Sequence, residues 1–579
     1  MKRTDKPGGG HRPPEPGAGS GPPQGFGSFR ELIVVAKKEA GLRASGPEIA
    51  STTGADVASL ADLIAGEGIR LQPLFGVSEE RLRAEAASAE SATGQEGPDL
   101  SLYYRVEAPD DRLDELAQRL NESDLIDGAY VKPAGEPPRA INEMVPLLVD
   151  APPTTPDFTG RQGYLNAAPA GIDARFAWTQ AGGRGAGVRI IDCEWGWRFT
   201  HEDLLQRSGG VVSGTSFPDD NHGTAVLGVI GGDVNTLGIT GICPDALLSA
   251  SSFSLPTATA IRNAADRLGP GDILLLEIHR PGPRATGIGQ QGFICIEWWP
   301  DDFDAIRYAV SRGIIVVEAA GNGFQNLDDP IYDVRPAGFP ASWTNPFRRT
   351  TRDSGAVVVG AGAPPPGTHG RDWGPDRSRL DFSNYGSMVD AQGWGREVTT
   401  CGYGDLQGPP DRNLWYTDQF SGTSSASPIV VGALGCVQGV LRARGRVPLS
   451  PARARDLLRT TGSPQQDAPG RPRTQRIGNR PDLRQLIARA TETATWTGVQ
   501  FRGTIPAGQT WTWFTFAWPA HWHVLWTVVP TNNHSGSPQI SWRTKVERGS
   551  DAFITYWIAV TNLSTTPTDI EGRFCVLGW

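Results

Sequence analysis

Four residue types that can share the work of acyl transfer stand at four separated places in this 579-residue chain. Ser424 lies in Gly422-Thr423-Ser424-Ser425-Ala426-Ser427-Pro428, which reads as a tight loop opening a helix. Gly422 permits the sharp backbone, and Pro428 suits an early turn. A serine at a helix start has a free backbone N–H and the positive dipole end behind it, an environment able to hold an oxyanion. His222, in Asn221-His222-Gly223-Thr224-Ala225-Val226-Leu227-Gly228, opens an apolar helical pattern. Asp192 closes the apolar run Gly187-Val188-Arg189-Ile190-Ile191. Asn322 follows a strand-like run in Val316-Val317-Glu318-Ala319-Ala320-Gly321-Asn322-Gly323. Singly, each has a plain structural reading: a helix cap, a surface histidine, a turn carboxylate, an asparagine in a left-handed turn.

Together, in this order, the four segments resemble the subtilisin-like serine proteases, in which Asp precedes His and His precedes Ser. Leu380-Asp381-Phe382-Ser383-Asn384-Tyr385-Gly386-Ser387, followed by a short strand near Val398, also looks like the family. The resemblance covers residues 160–465. It implies Ser424 as nucleophile, His222 as general base and acid, Asp192 orienting the imidazole, and Asn322 with the Ser424 amide as oxyanion donors. The chemistry asks for these types: a serine hydroxyl needs a base within hydrogen-bond reach, and the base needs a fixed tautomer. By register with the family, Leu276, Glu277, Ile278 and His279 on one side and Ala319, Ala320 and Gly321 on the other would line the substrate cleft.

The chain also departs from the family pattern. Bulky Cys193-Glu194-Trp195-Gly196-Trp197 follows Asp192, where a small residue and glycine are usual. Ala225 stands where a second histidine is common. In Leu274-Leu275-Leu276-Glu277-Ile278-His279-Arg280-Pro281-Gly282, Glu277 and His279 replace small residues, and an insertion from about Pro283 to Pro300 follows. His279 and Arg280 beside the primary pocket would disfavour large aromatic side chains and admit small or acidic ones. The plainer reading of His279 is a hydrogen bond within its own loop.

The elements that must position these groups follow from periodicity. Strands are expected at 187–192, 247–253, 272–278, 313–319 and 355–361. Helices are expected at 222–231, 256–267, 302–312, 424–441 and 450–460. This alternation predicts an α/β catalytic domain over 160–490, a mostly parallel sheet with helices on both faces. Residues 1–25 are rich in Gly and Pro and read as a disordered tail. Residues 26–134 show strands at 29–37, 100–106 and 126–131 and helices at 55–66, 78–90 and after Asp110, a small α+β domain. A loop fits 91–99. The resemblance implies that this unit is a propeptide that assists folding and blocks the cleft; an unrelated accessory domain is the alternative. Residues 135–159 belong to a proline-rich linker. Residues 493–579 hold nine of the 18 tryptophans and alternate as in Trp511-Thr512-Trp513-Phe514-Thr515-Phe516, a β-sandwich pattern. Those tryptophans either fill its small core or offer a face for sugar or protein.

The length calls for several domains, and a formal net charge of −9 argues against nucleic acid or an anionic membrane surface as partner. No apolar run reads as a membrane span. The first residues, Met1-Lys2-Arg3-Thr4-Asp5-Lys6-Pro7, lead into no apolar core, so a standard secretory signal is not expected. Location is then cytoplasmic by default, or export follows another route. Six cysteines without metal-like spacing lean towards a reducing compartment, with Cys193 and Cys436 as buried thiols. No metal or cofactor is expected at the site, though structural calcium is left open by the resemblance. The expected partners are a peptide or protein substrate and the chain's own N-terminal domain. The expected activity is endopeptidase hydrolysis through an acyl-enzyme. A silent binding protein on this fold, or a serine esterase or peptide ligase, is the alternative.

Overall fold

In a computed structural model, the described residues are 29–45, 48–85, 97–138, 152, 154–492, 496–520, 522–532, 536–550 and 553–577. The expected tail at 1–25 lies outside them, as do most of the loop at 91–99 and the end of the helix at 78–90.

The N-terminal unit is a four-stranded antiparallel sheet packed with helices, and residues 79–85 are helical as well. Its elements are β1 (Glu31–Ala36), β2 (Leu42–Ser45), β3 (Glu48–Ser51), α1 (Ala58–Glu67), β4 (Leu71–Pro73), β5 (Tyr103–Val106), α2 (Leu113–Leu120) and β6 (Ile126–Lys132). The sheet order is β4-β5-β1-β6, with β2 and β3 as a separate hairpin. Alternation along β1 sends Leu32 and Val34 into the core under α1 and α2, and Ile33 and Val35 towards the next domain.

That next domain is built on a seven-stranded parallel sheet. Its strands are β7 (Arg189–Glu194), β8 (Ser208–Ser213), β9 (Leu247–Ser252), β10 (Ile273–Leu276), β13 (Ile315–Ala319), β14 (Val357–Gly362) and β15 (Ala391–Trp394). They lie in the order β15-β14-β13-β10-β7-β9-β8. Between β10 and β13 a short hairpin, β11 (His279–Pro281) with β12 (Phe293–Cys295), stands apart from the sheet. A second hairpin joins β16 (Val398–Cys401) to β17 (Tyr416–Phe420).

Helices α3 (Asn221–Gly231) and α6 (Thr423–Ala443) cover one face, and α4 (Thr257–Ala265) and α5 (Pro300–Ser311) the other. Helices α7 (Pro451–Thr460) and α8 (Leu483–Thr491) complete the first layer. Successive residues therefore choose opposite layers. Ile190, Ile273 and Ile315 pack with α3 and α6, whereas Ile191, Leu274 and Val316 pack with α4 and α5.

The five expected strands and five expected helices each correspond to an observed element, with ends shifted by a few residues. Strand β8, strand β15, the β11–β12 hairpin and strand β17 were not foreseen, whereas β16 is the short strand expected near Val398. Helix α6 corrects the expectation about apolar runs: by length and composition it is sufficient to cross a membrane, yet it is wholly buried inside this domain.

The C-terminal region contains two three-stranded antiparallel sheets, in the orders β18-β23-β20 and β19-β22-β21. Their strands are β18 (Trp496–Ile505), β19 (Thr510–Pro519), β20 (Val524–Pro530), β21 (Ile540–Arg548), β22 (Phe553–Asn562) and β23 (Thr568–Val576). The tryptophans divide: Trp518 and Trp526 sit in the shared core, while Trp511, Trp542 and Trp557 are exposed.

Candidate active site

Strand β7 supplies two carboxylates. Asp192 and Glu194 are two residues apart, so both point from the same face towards the layer holding α3 and α6. The reach of the side chains then decides their partners. Glu194 Oε2 lies 2.7 Å from His222 Nδ1. Asp192 Oδ2 instead accepts from Trp197 Nε1 at 2.7 Å. This corrects the expected role of Asp192: the carboxylate against the imidazole is Glu194, because the longer side chain extends from the strand's end to the first turn of α3. Asp192 is fully buried, and burial first, then the neighbouring Glu194, pushes its carboxyl well above the usual range. Trp197, one of the bulky residues after Asp192, is thus a hydrogen-bond donor to the cluster. The His222 ring also packs edge-on against Phe420, with centroids 5.5 Å apart.

Ser424 is the second residue of α6, fully buried, with Gly422 at φ 103° before it. That left-handed backbone is open to glycine and makes the abrupt turn into the helix. Asn322 is fixed by the same loop: its Oδ1 accepts from Thr423 N and from Thr423 Oγ1, each at 3.0 Å. The carboxamide is thereby oriented, and its Nδ2 donates to Gln290 Oε1 at 3.2 Å. Helices α3 and α6 pack together, which brings the first turns bearing His222 and Ser424 to one end of the sheet. These positions beyond strand ends are where α/β sheets collect their reactive groups.

Of the seven expected cleft residues, Leu276 and Ile278 are buried among the apolar residues towards α4 and α5. Ala319 ends β13, Ala320 and Gly321 follow it, and all three are buried, with Asn384 Nδ2 donating to Ala320 O at 2.8 Å. Glu277 takes the opposite layer to Leu276 and accepts from Ser427 Oγ in the first turns of α6. Burial chiefly, then the Asp192 charge, raises the Glu277 carboxyl well above the ordinary value. Three buried acids, Asp192, Glu194 and Glu277, therefore crowd around the serine and histidine. His279 is fully buried; its Nδ1 accepts from Asn322 N at 3.2 Å, and burial lowers its pKa. Its ring lies edge-on to Phe293, 4.9 Å between centroids. The plainer reading of His279 is thus met in part, with the bond made to the Asn322 loop rather than within its own.

Arg280 corrects a further expectation. Its guanidinium does not border the pocket but turns to the N-terminal unit, donating to Pro133 O and Thr257 Oγ1 with Glu31 and Asp302 beside it. Next to it, Lys132 of β6 is buried between Asp301 and Asp302.

The chain after β6 enters the cleft. Glu136 and His279 exchange both backbone hydrogen bonds, each 3.1 Å, as an antiparallel pair. Two residues on, the Pro138 carbonyl faces the Ser424 amide at 3.5 Å. The start of the expected linker is therefore seated against the site through a single β-bridge at Glu136. Sequence reasoning missed Glu194, although strand alternation put it on the face of Asp192, and Gln290, which no local pattern marks within the insertion. Among the described residues, no group of three or more His, Cys, Asp or Glu side chains is arranged to hold a metal ion.

A family model described as the Subtilase family matches residues 290–481. Thermitase from Thermoactinomyces vulgaris is 25% identical over 328 residues, 54% of this chain and 94% of its own. An intracellular serine protease from Paenibacillus polymyxa is 26% identical over 300 residues, covering 49% and 76%. Subtilisin Savinase from Lederbergia lenta is 27% identical over 263 residues, covering 44% and 77%. Among solved structures, fervidolysin from Fervidobacterium pennivorans aligns with a TM-score of 0.47 at 14% identity, over 96% of this chain and 72% of that one.

Proposed function

We propose that the chain is a subtilisin-like serine endopeptidase acting on peptide or protein substrates, and that its residues divide the reaction as follows. Ser424 Oγ attacks the substrate carbonyl while His222 takes the proton, and His222 then returns it to the leaving amine. Glu194 holds the imidazole by Nδ1 and stabilises its cationic form. Asp192, whose carboxyl burial and the neighbouring Glu194 push upward, accepts from the Trp197 indole beside Glu194. The Ser424 amide and Asn322 Nδ2 receive the oxyanion. Water then hydrolyses the acyl-enzyme with His222 again as base.

The observation that carries this assignment is the carbonyl of Pro138 facing the Ser424 amide, beside Asn322. A carbonyl is thereby presented to the groups that would stabilise it. On this reading the N-terminal unit, 26–134, is a propeptide, and the pairing of Glu136 with His279 just after it supports that role. Casein hydrolysis by wild type and Ser424→Ala protein tests the proposal. Turnover should vanish in the variant; activity retained after contaminant controls contradicts it.

The exposed aromatics of the C-terminal sheets give a surface suited to sugar or protein. Phe514 lies 5.1 Å from Trp557, ring to ring.

A further inference from the structure

The segment in the cleft is held by its side chains as well as its backbone, and this gives a sequence preference. We propose that the enzyme selects Gly-Glu-Pro-Pro segments, cuts after the second proline, and reads the glutamate through Gln290. The inference rests on the protease assignment above and on the seating of residues 135–138.

The register comes from two contacts. Glu136 pairs with His279 through both backbone bonds, which fixes the strand direction. The Pro138 carbonyl then falls at the Ser424 amide, and on this register the bond assigned to cleavage is the one that follows Pro138 in the sequence. Attack at the Pro138 carbonyl carbon breaks its C–N bond, the Arg139 amine leaves with the proton from His222, and water returns Pro138 as a carboxylate.

Each neighbouring residue has a reason in the walls. A Cβ at Gly135 would come within 2.6 Å of Ile278 Cδ1, so the position three before Pro138 has room for glycine. Gln290 Nε2 donates to Glu136 Oε1 at 2.7 Å and to Pro137 O at 3.1 Å. Its Oε1 accepts from Asn322 Nδ2. The Gln290 amide is buried, and both of its N–H groups are committed to the seated segment. A substrate lacking the carboxylate leaves one of those donors unpaired. The His279 ring, edge-on to Phe293, holds its Nε2 3.8 Å from Glu136 Oε1, so the imidazole faces the same carboxylate. Proline itself gives up no backbone bond at Pro137 or Pro138, since it has no N–H to satisfy. The insertion after β11 thus carries the residue that ties substrate to the Asn322 loop.

The test has two parts. Intact mass of purified full-length protein should show a cut between Pro138 and Arg139 in wild type and none in Ser424→Ala. The peptide acetyl-Gly-Glu-Pro-Pro-Arg-Ala-Ile-Asn is then compared with versions carrying Ala for Glu or Ala for Gly. Replacing Glu should lower kcat/KM by about tenfold, the scale of one lost hydrogen bond to a charged group, and replacing Gly should lower it by crowding Ile278. In Gln290→Leu the Glu-to-Ala ratio should fall to near one, whatever happens to the absolute rates; a purely structural role would lower both peptides alike and keep the ratio. Ser424-dependent hydrolysis at other bonds, or without preference for Glu, overturns this inference and leaves the protease assignment standing. Absence of any Ser424-dependent cleavage, in the chain or the peptides, removes both.

Discussion

At the scale of single residues, the site is a contest between two carboxylates on one strand face. Glu194 wins the imidazole because its extra methylene carries it to Nδ1, while Asp192 is claimed by the Trp197 indole. Glu194→Ala should therefore lower kcat by roughly 10³–10⁴, the size expected when the histidine loses the group that sets its tautomer. Asp192→Asn should cost less than about tenfold, because Asp192 pairs with the Trp197 indole and leaves the imidazole to Glu194. Steady-state kinetics on one peptide checks both, and the reverse ranking would restore Asp192 to the imidazole. Asn322→Ala should lower kcat by about 10²–10³ with little change in KM, the known scale for one oxyanion donor in subtilisin. An unchanged kcat would assign the oxyanion to another group. Ser424, His222 and Asn322 were legible because each sits in a local motif. The glutamate's role was not, since which of two acids on a face reaches a distant helix depends on spacing across the fold.

At the scale of elements, the end of β10 places an acid where its burial has a thermodynamic cost. Glu277 is fully buried, and its folded pKa is raised well above its ordinary value of 4.5. With the folded value above the unfolded one, its contribution to stability is whole below about pH 4.5 and is lost as pH rises through the raised value. Thermal melts of Ser424→Ala with and without Glu277→Gln should therefore diverge as pH climbs from 4, with the glutamine protein ahead. Parallel curves would mean that Glu277 is solvated or paired in the folded state. Strand β6 carries the opposite case: Lys132 is buried against Asp301 and Asp302 across the boundary between the N-terminal unit and α5. Lys132→Ala should cost about 3–5 kcal/mol, because two acids lose their buried cation. Denaturant unfolding of the Ser424→Ala background measures it, and a loss below about 1 kcal/mol would mean the pair is open to water. The main strands and helices were readable from period-2 and period-3.6 patterns. The β11–β12 hairpin was not, because it pairs outside the sheet and its sequence lacks alternation.

At the scale of the whole molecule, the propeptide-like unit, the parallel-sheet domain and the two C-terminal sheets follow the changes in composition along the chain. What composition could not convey is that residues 133–138 return through the cleft. Glu136 and His279 lie far apart in sequence, and no local pattern encodes their pairing. The same seating joins the N-terminal unit to the catalytic groups, so one serine should govern both self-cleavage and turnover. The most direct measurement is labelling of the full-length protein with a fluorophosphonate, followed by mass spectrometry of the peptide containing Gly422-Thr423-Ser424-Ser425. We predict a single adduct on Ser424 in wild type, none in Ser424→Ala, and strongly reduced labelling in His222→Ala. Labelling on another residue, or equal labelling of wild type and Ser424→Ala, would contradict Ser424 as the nucleophile.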